Sequence, residues 1–552
     1  MSIISFCNDR NRLMAAMICC LLSLSVSCTF AQMKVTKDAA DYGFLPGNTA
    51  EANHDALQAA LAGGGRVVVS LPGVYDLTNT VVIDSDTHLQ FLDGVVINKC
   101  LNSYGTAPAY VLINRGAFTR TYDHDITVEG LNLKMNRIDQ GYDTTRILGL
   151  QGSLSFFYVR NLRVSDFTTL DIGSATFALQ VCTFENIVLE NIHIEGDKDG
   201  IHLGRGRGFV LRNCRMRTFD DPIALNAHDY IISNPELGWL EDGIVEDCTD
   251  MSASSTTGFF CRLLAGGWRE WHEGMQLQNS DAVISNGRIY RVNGQADGVK
   301  YISQYRPVHA EGIMDYGDGI NWAMTQEHDV VDNCGVRNVT FNGITLSKER
   351  NTAFCIMFDN NEWSRGYYPN STVPSQGKFV FNSIVQDANI ANLISCGTPV
   401  DTIIISNSTL CGARVIFRQQ NIEGIATPPI YVEFRNVHFR GDGSGDSYRL
   451  FDNPSNLDVS VRMTACRSDV PLDLSGANII EAGILSQQAR NAIRAHAVDG
   501  RIRFTIETMT DVVVSDASGR IIFRHRFAAG EHETPQFDPG VYLLNGLKVL
   551  VD

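Results

Sequence analysis

The sequence predicts an all-β protein: a right-handed parallel β-helix, a solenoid of stacked rungs, with a short N-terminal capping helix and a small C-terminal β-sandwich. Three observations carry that expectation. Short phrases of alternating apolar residues broken by a turn residue recur along most of the chain, as at 126–133, 187–194 and 209–216. The interval between copies is irregular, about 20–40 residues, which suits a solenoid rather than an evenly bladed propeller. Amphipathic helical stretches, which a βαβ fold needs between its strands, are nearly absent.

The elements follow in chain order. Residues 1–31 read as a secretory signal: Arg10 and Arg12 precede an apolar run from Leu13 to Val26 that is too short for an ordinary membrane span. Thr29 and Ala31 supply the small residues of a cleavage site before Gln32, and Cys28 leaves a lipoprotein anchor as a second reading. The mature chain is expected to be secreted, to the periplasm, the cell surface or the exterior, with no transmembrane segment. A stretch from Asn53 to Leu61, with Ala52, Leu57, Ala60 and Leu61 as its apolar positions, stops at Gly63-Gly64-Gly65. It is expected to cover the open end of the first rung, which is otherwise a bare strand edge.

In the rung phrase, period-two alternation gives a strand with one buried face. Asn or Gly at the break tolerates left-handed backbone, so the strand bends without leaving the stack. Later copies centre on Asp247, Asn286, Gly343, Ser383, Asn407 and Asn436. One rung cannot bury its apolar face alone; stacking rungs ~4.8 Å apart buries them against each other. The β-helix domain is set at 32–485, followed by a linker at 486–500 and a C-terminal β domain at 501–552. The cysteines after Cys28 contain no C-x-x-C pair, so no zinc site is expected. Cys214 and Cys248, each following a turn residue, are expected to be apolar filler on consecutive rungs.

Composition excludes two classes. With 44% hydrophobic and 19% charged residues the chain is not disordered. A formal net charge of −17 has the wrong sign for a nucleic-acid binder working by bulk charge. It also means that an acidic polymer needs a locally basic site.

The stretch richest in chemistry is Asp197-Lys198-Asp199-Gly200-Ile201-His202, followed by Phe219-Asp220-Asp221-Pro222-Ile223. Asp199 and Asp220 are 21 residues apart with one rung phrase between them, so they and Asp221 should stack on neighbouring rungs. Like charges at that distance raise one pKa, which provides the protonated acid and the ionised partners that glycoside hydrolysis needs. One rung of offset plus the fan of the side chains suggests the ~6.5–9.5 Å separation of an inverting pair. Strict parity would instead place Asp199 and Asp221 inward with Ile201 and Ile223, and Asp-Gly-Ile recurs at Asp242 and Asp318, so the same residues also read as rung-starting turns. A third use of the acids is to bind calcium in a lyase, with one of the arginines between Arg205 and Arg217 removing a proton. All five tryptophans lie between 239 and 363. Trp268 and Trp271, in an insertion beside the acid rungs, are candidates for stacking on a sugar, and His202 and Arg217 for further substrate contact.

The entry segment, with Asp41-Tyr42-Gly43, the run from Ala56 to Leu61, the run from Gly65 to Val69 and Pro72-Gly73-Val74-Tyr75, resembles the pectate-lyase-like β-helix superfamily. The acid segment resembles the polygalacturonase-type hydrolases of glycoside hydrolase family 28, which carry Asn-Thr-Asp-Gly and, about one rung later, Asp-Asp. That resemblance implies an inverting mechanism with Asp199 and Asp220 as water-activating bases and Asp221 as general acid. The sequence departs from the pattern: Asp197-Lys198 replaces Asn-Thr, and Gly-His-Gly is missing, with His228 arriving too early. Arg-Ile-Lys is echoed only by Arg262-Leu263-Leu264. The resemblance makes Arg262 and His228 candidate substrate contacts, and the lost Lys leaves sugars other than galacturonan open. The segment from Val514 to Arg520 and Pro539-Gly540-Val541-Tyr542 resemble a type IX secretion sorting domain. The expected function is therefore that of a secreted, monomeric glycoside hydrolase acting on a pectin-like or other complex glycan, without cofactor or metal. A calcium-dependent polysaccharide lyase and a non-catalytic glycan-binding surface protein are the alternatives.

Overall fold

A computed structural model describes residues 36–141, 145–254, 256–327, 332–441, 443, 447–486, 493–506, 510–517, 520–545 and 547–551. The expected signal at 1–31, with Cys28, lies outside the described residues, as does 487–492 of the expected linker.

The chain is a right-handed parallel β-helix. Helix α1 (Ala50–Leu61) opens it, with the Thr49 hydroxyl accepting from the Ala52 amide at 3.2 Å. It buries Asn53, Ala56, Leu57, Ala60 and Leu61 against the first rung strands. Ala52 is exposed, contrary to expectation, because the helix turns Asn53 inward, where its carbonyl accepts from the Leu45 amide at 3.2 Å.

Each rung supplies three strand segments. β1 (Phe177–Glu190) bends at Thr183, whose φ is 49°, and so contributes to a first and a second face. β2 (Ile201–Leu203), β4 (Ile223–Asn226), β6 (Cys261–Gly267) and β7 (Arg350–Phe358) continue the first face. β3 (Gly206–Arg212) and β5 (Leu240–Glu246) continue the second. The first face keeps one register: Leu179 pairs with Ile201, Ile201 with Ile223, Ile223 with Cys261 and Cys261 with Phe354. All five side chains lie in the solenoid core. A fully buried Ile or Leu contributes roughly 1.5–3 kcal/mol by leaving water, and stacked rings such as Phe341 and Phe381, 5.1 Å apart, run along the axis.

The corner between the second and third faces is a column of left-handed residues, Asn191, Asn213, Asp247, Gly343, Ser383, Asn407 and Asn436, with φ between 48° and 66°. Amides in it bond along the axis: Asn213 Nδ2 donates to Asn191 Oδ1 at 2.9 Å, and Asn436 Nδ2 to Asn407 Oδ1 at 2.8 Å. Asn286 is not part of this column. With Gly287 it forms the turn between antiparallel strands Ala282–Ser285 and Arg288–Val292, because Asn-Gly suits a two-residue hairpin whose central residues both have φ > 0. That hairpin belongs to a five-stranded sheet that the insertion builds outside the solenoid. Cys214 and Cys248 are fully buried, unbridged core residues.

The described residues between 493 and 551 form two small antiparallel sheets that share a core of Ile502, Phe504, Val512, Val514 and Leu544. Part of the expected linker is structured: strand Ile493–Val498 pairs with Arg501–Ile506, and Ala495 and Ala497 pack on that core. Among the described residues no helix is long and apolar enough to cross a membrane.

The corner column makes a testable demand. Asn213→Val places a β-branched residue at φ 50° and removes a ladder bond, which should cost about 1–3 kcal/mol. Asn213→Gly should cost less, and the two urea midpoints measure the difference. Equal midpoints would show that the column carries no conformational constraint.

Candidate active site

The acids come together at the start of the first face. Gly200 N donates to Asp221 O at 2.9 Å and Ala178 N to Asp199 O at 3.1 Å, so the two acids occupy successive rungs. The chain is not extended through these positions, and parity is broken. Asp199 and Asp221 are almost wholly buried, but their partners are outward-facing side chains rather than the core. The outward row of this face is Gln180, His202, Ala224, Arg262 and Cys355, in register. Ala224 is small, and across it the Arg262 guanidinium reaches Asp221 Oδ2 at 3.0 Å, Asp229 Oδ2 at 3.5 Å and Asp199 Oδ2 at 3.8 Å. His202 lies between Asp199 and Asp229, with Nδ1 3.3 Å from Asp199 Oδ2 and Nε2 3.5 Å from Asp229 Oδ2, and its ring stacks on Phe177 at 4.3 Å.

A loop roofs the pair. Phe259 N donates to Asp221 Oδ1 at 2.7 Å. Gly258, at φ +60°, passes so close that a Cβ there would stand 2.5 Å from Asp221 Oδ1 and 2.7 Å from Asp220 Oδ1. Arg350, paired with buried Asp250 at 2.6 and 3.1 Å, holds this loop through Thr256 Oγ1 and Thr257 O at 3.2 Å. The edge that meets solvent is made by Lys198 (28% exposed) and Asp220 (25%), which are ion-paired, with Arg262 (15%) beside them.

Burial sets the protonation states. It pushes Asp221 up to about 7, with Arg262 opposing and Asp199 and Asp220 adding to the rise. Burial also opposes ionisation of Asp199, yet Lys198, the His202 hydrogen bond and Arg262 hold its carboxyl below the usual range. Burial works to discharge Lys198, but Asp199 and Asp220 keep it above its ordinary value. A further acid, Asp359, is pushed up to about 7 by burial and then by Asp229.

One carboxylate oxygen from each of Asp199, Asp220 and Asp221 lies within 4.8 Å of the other two. The rungs themselves stand only ~4.8 Å apart, and Lys198 and Arg262 draw the carboxylates together. Three oxygens this close can share a divalent cation, but the two cationic side chains already neutralise the same space. The other such grouping among the described residues, Asp86, His124 and Asp125, is exposed.

Four expected contacts sit elsewhere. His228 is buried against Gly266, its ring 6.5 Å from that of Trp268. Trp268 belongs to the solenoid core. Trp271 lies in the separate core of the insertion, its Nε1 donating to Ser303 Oγ at 2.8 Å and Arg306 over its ring. Arg217 is on the third face, donating to Glu195 Oε2 at 2.9 Å and Ser252 O at 3.0 Å, which is plain salt bridging. Sequence reasoning passed over Asp229, Asp359 and Lys198 as site members. Asp229 adjoins the chosen His228, whereas nothing in the sequence around Asp359 marks it.

No family model matches the chain, and no curated protein does. Among solved structures it is similar to a hyperthermoactive exopolygalacturonase from Thermotoga maritima, at 11% identity and TM-score 0.40, covering 91% of this chain and 95% of that one. A family 28 exopolygalacturonase from Yersinia enterocolitica aligns at 13% identity and TM-score 0.40, covering 77% and 78%. The surface adhesin PfbA of Streptococcus pneumoniae aligns at 12% and 0.38, covering 90% and 100%.

Arg262 is the common partner of three buried carboxylates. Arg262→Met should cost about 3–5 kcal/mol at pH 7, the scale for leaving buried charge unpaired. The loss should shrink as pH falls, because the stranded carboxylates then take up protons. Thermal denaturation of both proteins at pH 5 and 7 measures it, and a pH-independent difference would contradict the assignment.

Proposed function

We propose that the chain is an exported glycoside hydrolase that cuts a pectin-like or other complex glycan at the cluster of Asp199, Asp220 and Asp221. The observation that carries this reading is the contrast between two adjacent carboxyls. Asp221 holds its proton to about 7, while Asp199, one rung away, is held ionised. Asp221 donates its proton to the departing glycosidic oxygen. Asp220, the most exposed of the three, takes a proton from the water that attacks the anomeric carbon as the glycosidic bond breaks, with Lys198 fixing its position. Arg262 and Asp199 keep the acid oriented and the charge balanced.

Elimination fits these residues less well. A lyase needs a neutral base beside the uronate, and Lys198 is held charged above its ordinary pKa by Asp199 and Asp220. Arg262 is likewise raised well above its ordinary value by Asp221, Asp229 and Asp199 against the pull of burial. The proposed chemistry needs no metal.

Incubation with a broad glycan panel should release reducing ends without the ultraviolet-absorbing unsaturated sugar of elimination, and EDTA should leave the rate unchanged. Release of the unsaturated product, or no cleavage of any glycan, would overturn the reading. Asp221→Asn should lower kcat by about 10²–10⁴. In the wild type the rate should fall as pH rises through about 7, because the protonated acid is consumed, and this alkaline limb should vanish in the variant. Proton NMR of the first-formed anomer should show inversion, the outcome that the family resemblance implies.

A further inference from the structure

A cavity of about 250 Å³ opens at the corner between the first and second faces. Strand β2 stands between it and the acid cluster: Asp199 precedes the strand, and Arg205, which lines the cavity, follows it. Gln180 holds the segment from Asp229 to Glu236 to the first face, its Nε2 donating to Ser233 O at 2.8 Å. The apolar residues around it are buried Phe184, Leu237, Ile289 and Trp268 and half-buried Tyr122 and Trp239. The Trp268 indole nitrogen is buried with no hydrogen-bond partner.

The rim is a ladder of alternating charge. Arg160, Glu185, Arg207, Glu241 and Arg337 stand in register on five consecutive rungs of the second face. Glu185, Arg207 and Glu241 line the cavity, and the terminal arginines lie over its two rim aromatics: Arg160 over Tyr122 at 4.0 Å and Arg337 over Trp239 at 4.4 Å. Behind it Glu236 is fully buried, accepting from Tyr158 Oη at 2.6 Å and Thr183 Oγ1 at 2.8 Å, with Arg205 Nη1 3.5 Å away.

We propose that this cavity is a second glycan-binding site, separate from the acid cluster, that takes one neutral hexopyranose unit. The half-buried rings of Tyr122 and Trp239 offer apolar surface to the C–H face of a sugar ring. Alternating carboxylates and guanidiniums on the rim accept from and donate to hydroxyls in turn. The charged residues that line the cavity, Glu185 and Glu241 against Arg205 and Arg207, balance, so the lining has no excess charge to select an acidic sugar. This inference rests on the glycan-active reading, and it assigns the contact with sugar to the rim residues Tyr122 and Trp239.

The test uses the full chain with methyl β-galactopyranoside and methyl β-glucopyranoside as probes, followed by saturation-transfer NMR and tryptophan fluorescence. At least one glycoside should bind saturably, with equal affinity in the wild type and in Asp221→Asn. Trp239→Ala, and the shape-conserving Glu241→Gln, should each weaken binding about tenfold or more. If neither glycoside binds the wild type, or if binding survives both rim substitutions, the second site is refuted. A wild type that cuts a glycan but binds neither probe refutes this site alone. One that binds a probe through the rim but cuts nothing upholds the site and refutes the hydrolase. One that neither cuts nor binds refutes both.

Discussion

The register of the first face governs the rest of the molecule. Because Ile201 pairs with Ile223 and Ile223 with Cys261, the apolar residues of successive rungs fall into one core, and His202, Ala224 and Arg262 fall into one outward row. A slip of one residue would carry Arg262 into the core and Ile223 into solvent, since the side-chain period of a strand is two. The hydrophobic core thus holds the register, and the register places a guanidinium beside acids from neighbouring rungs.

The acid cluster is an electrostatic compromise built on that placement. Five carboxylates, Asp199, Asp220, Asp221, Asp229 and Asp359, surround the two permanent cations Lys198 and Arg262. Charges taken out of water must be paired or neutralised. Here both happen: Arg262 and Lys198 hold Asp199 ionised, while Asp221 and Asp359 keep protons to about 7. A buried proton donor beside an anion is the electrostatic state that acid-catalysed bond cleavage requires.

Several parts of this were legible in the sequence. Spacing by one rung brought Asp199, Asp220 and Asp221 together, because a parallel solenoid converts that interval into stacking. Parity alone pointed two of them inward, since it assumes extended backbone where the chain turns before β2 and β4. Asn286 carried the rung signature but serves a hairpin, because Asn tolerates left-handed backbone in either setting. Trp268 and Trp271 were placed near the acids by their position in the chain, yet the insertion folds them into two different cores. Asp359 lies more than a hundred residues beyond the acid motif, and only the pairing of β6 with β7 brings it near.

Alternation, turn residues and the rung interval are written in the residues themselves, and they specify a parallel β-helix with its acids on adjacent rungs. These are local properties, written in the period of the side chains. Tertiary structure alone decided that Arg262 reaches across Ala224 to three carboxylates, that Gly258 and Phe259 roof the cluster, and that a second cavity forms beside a charge ladder at the opposite corner. Those outcomes depend on which distant segments pack over the solenoid, and burial sets the charge of each acid only after that packing is complete.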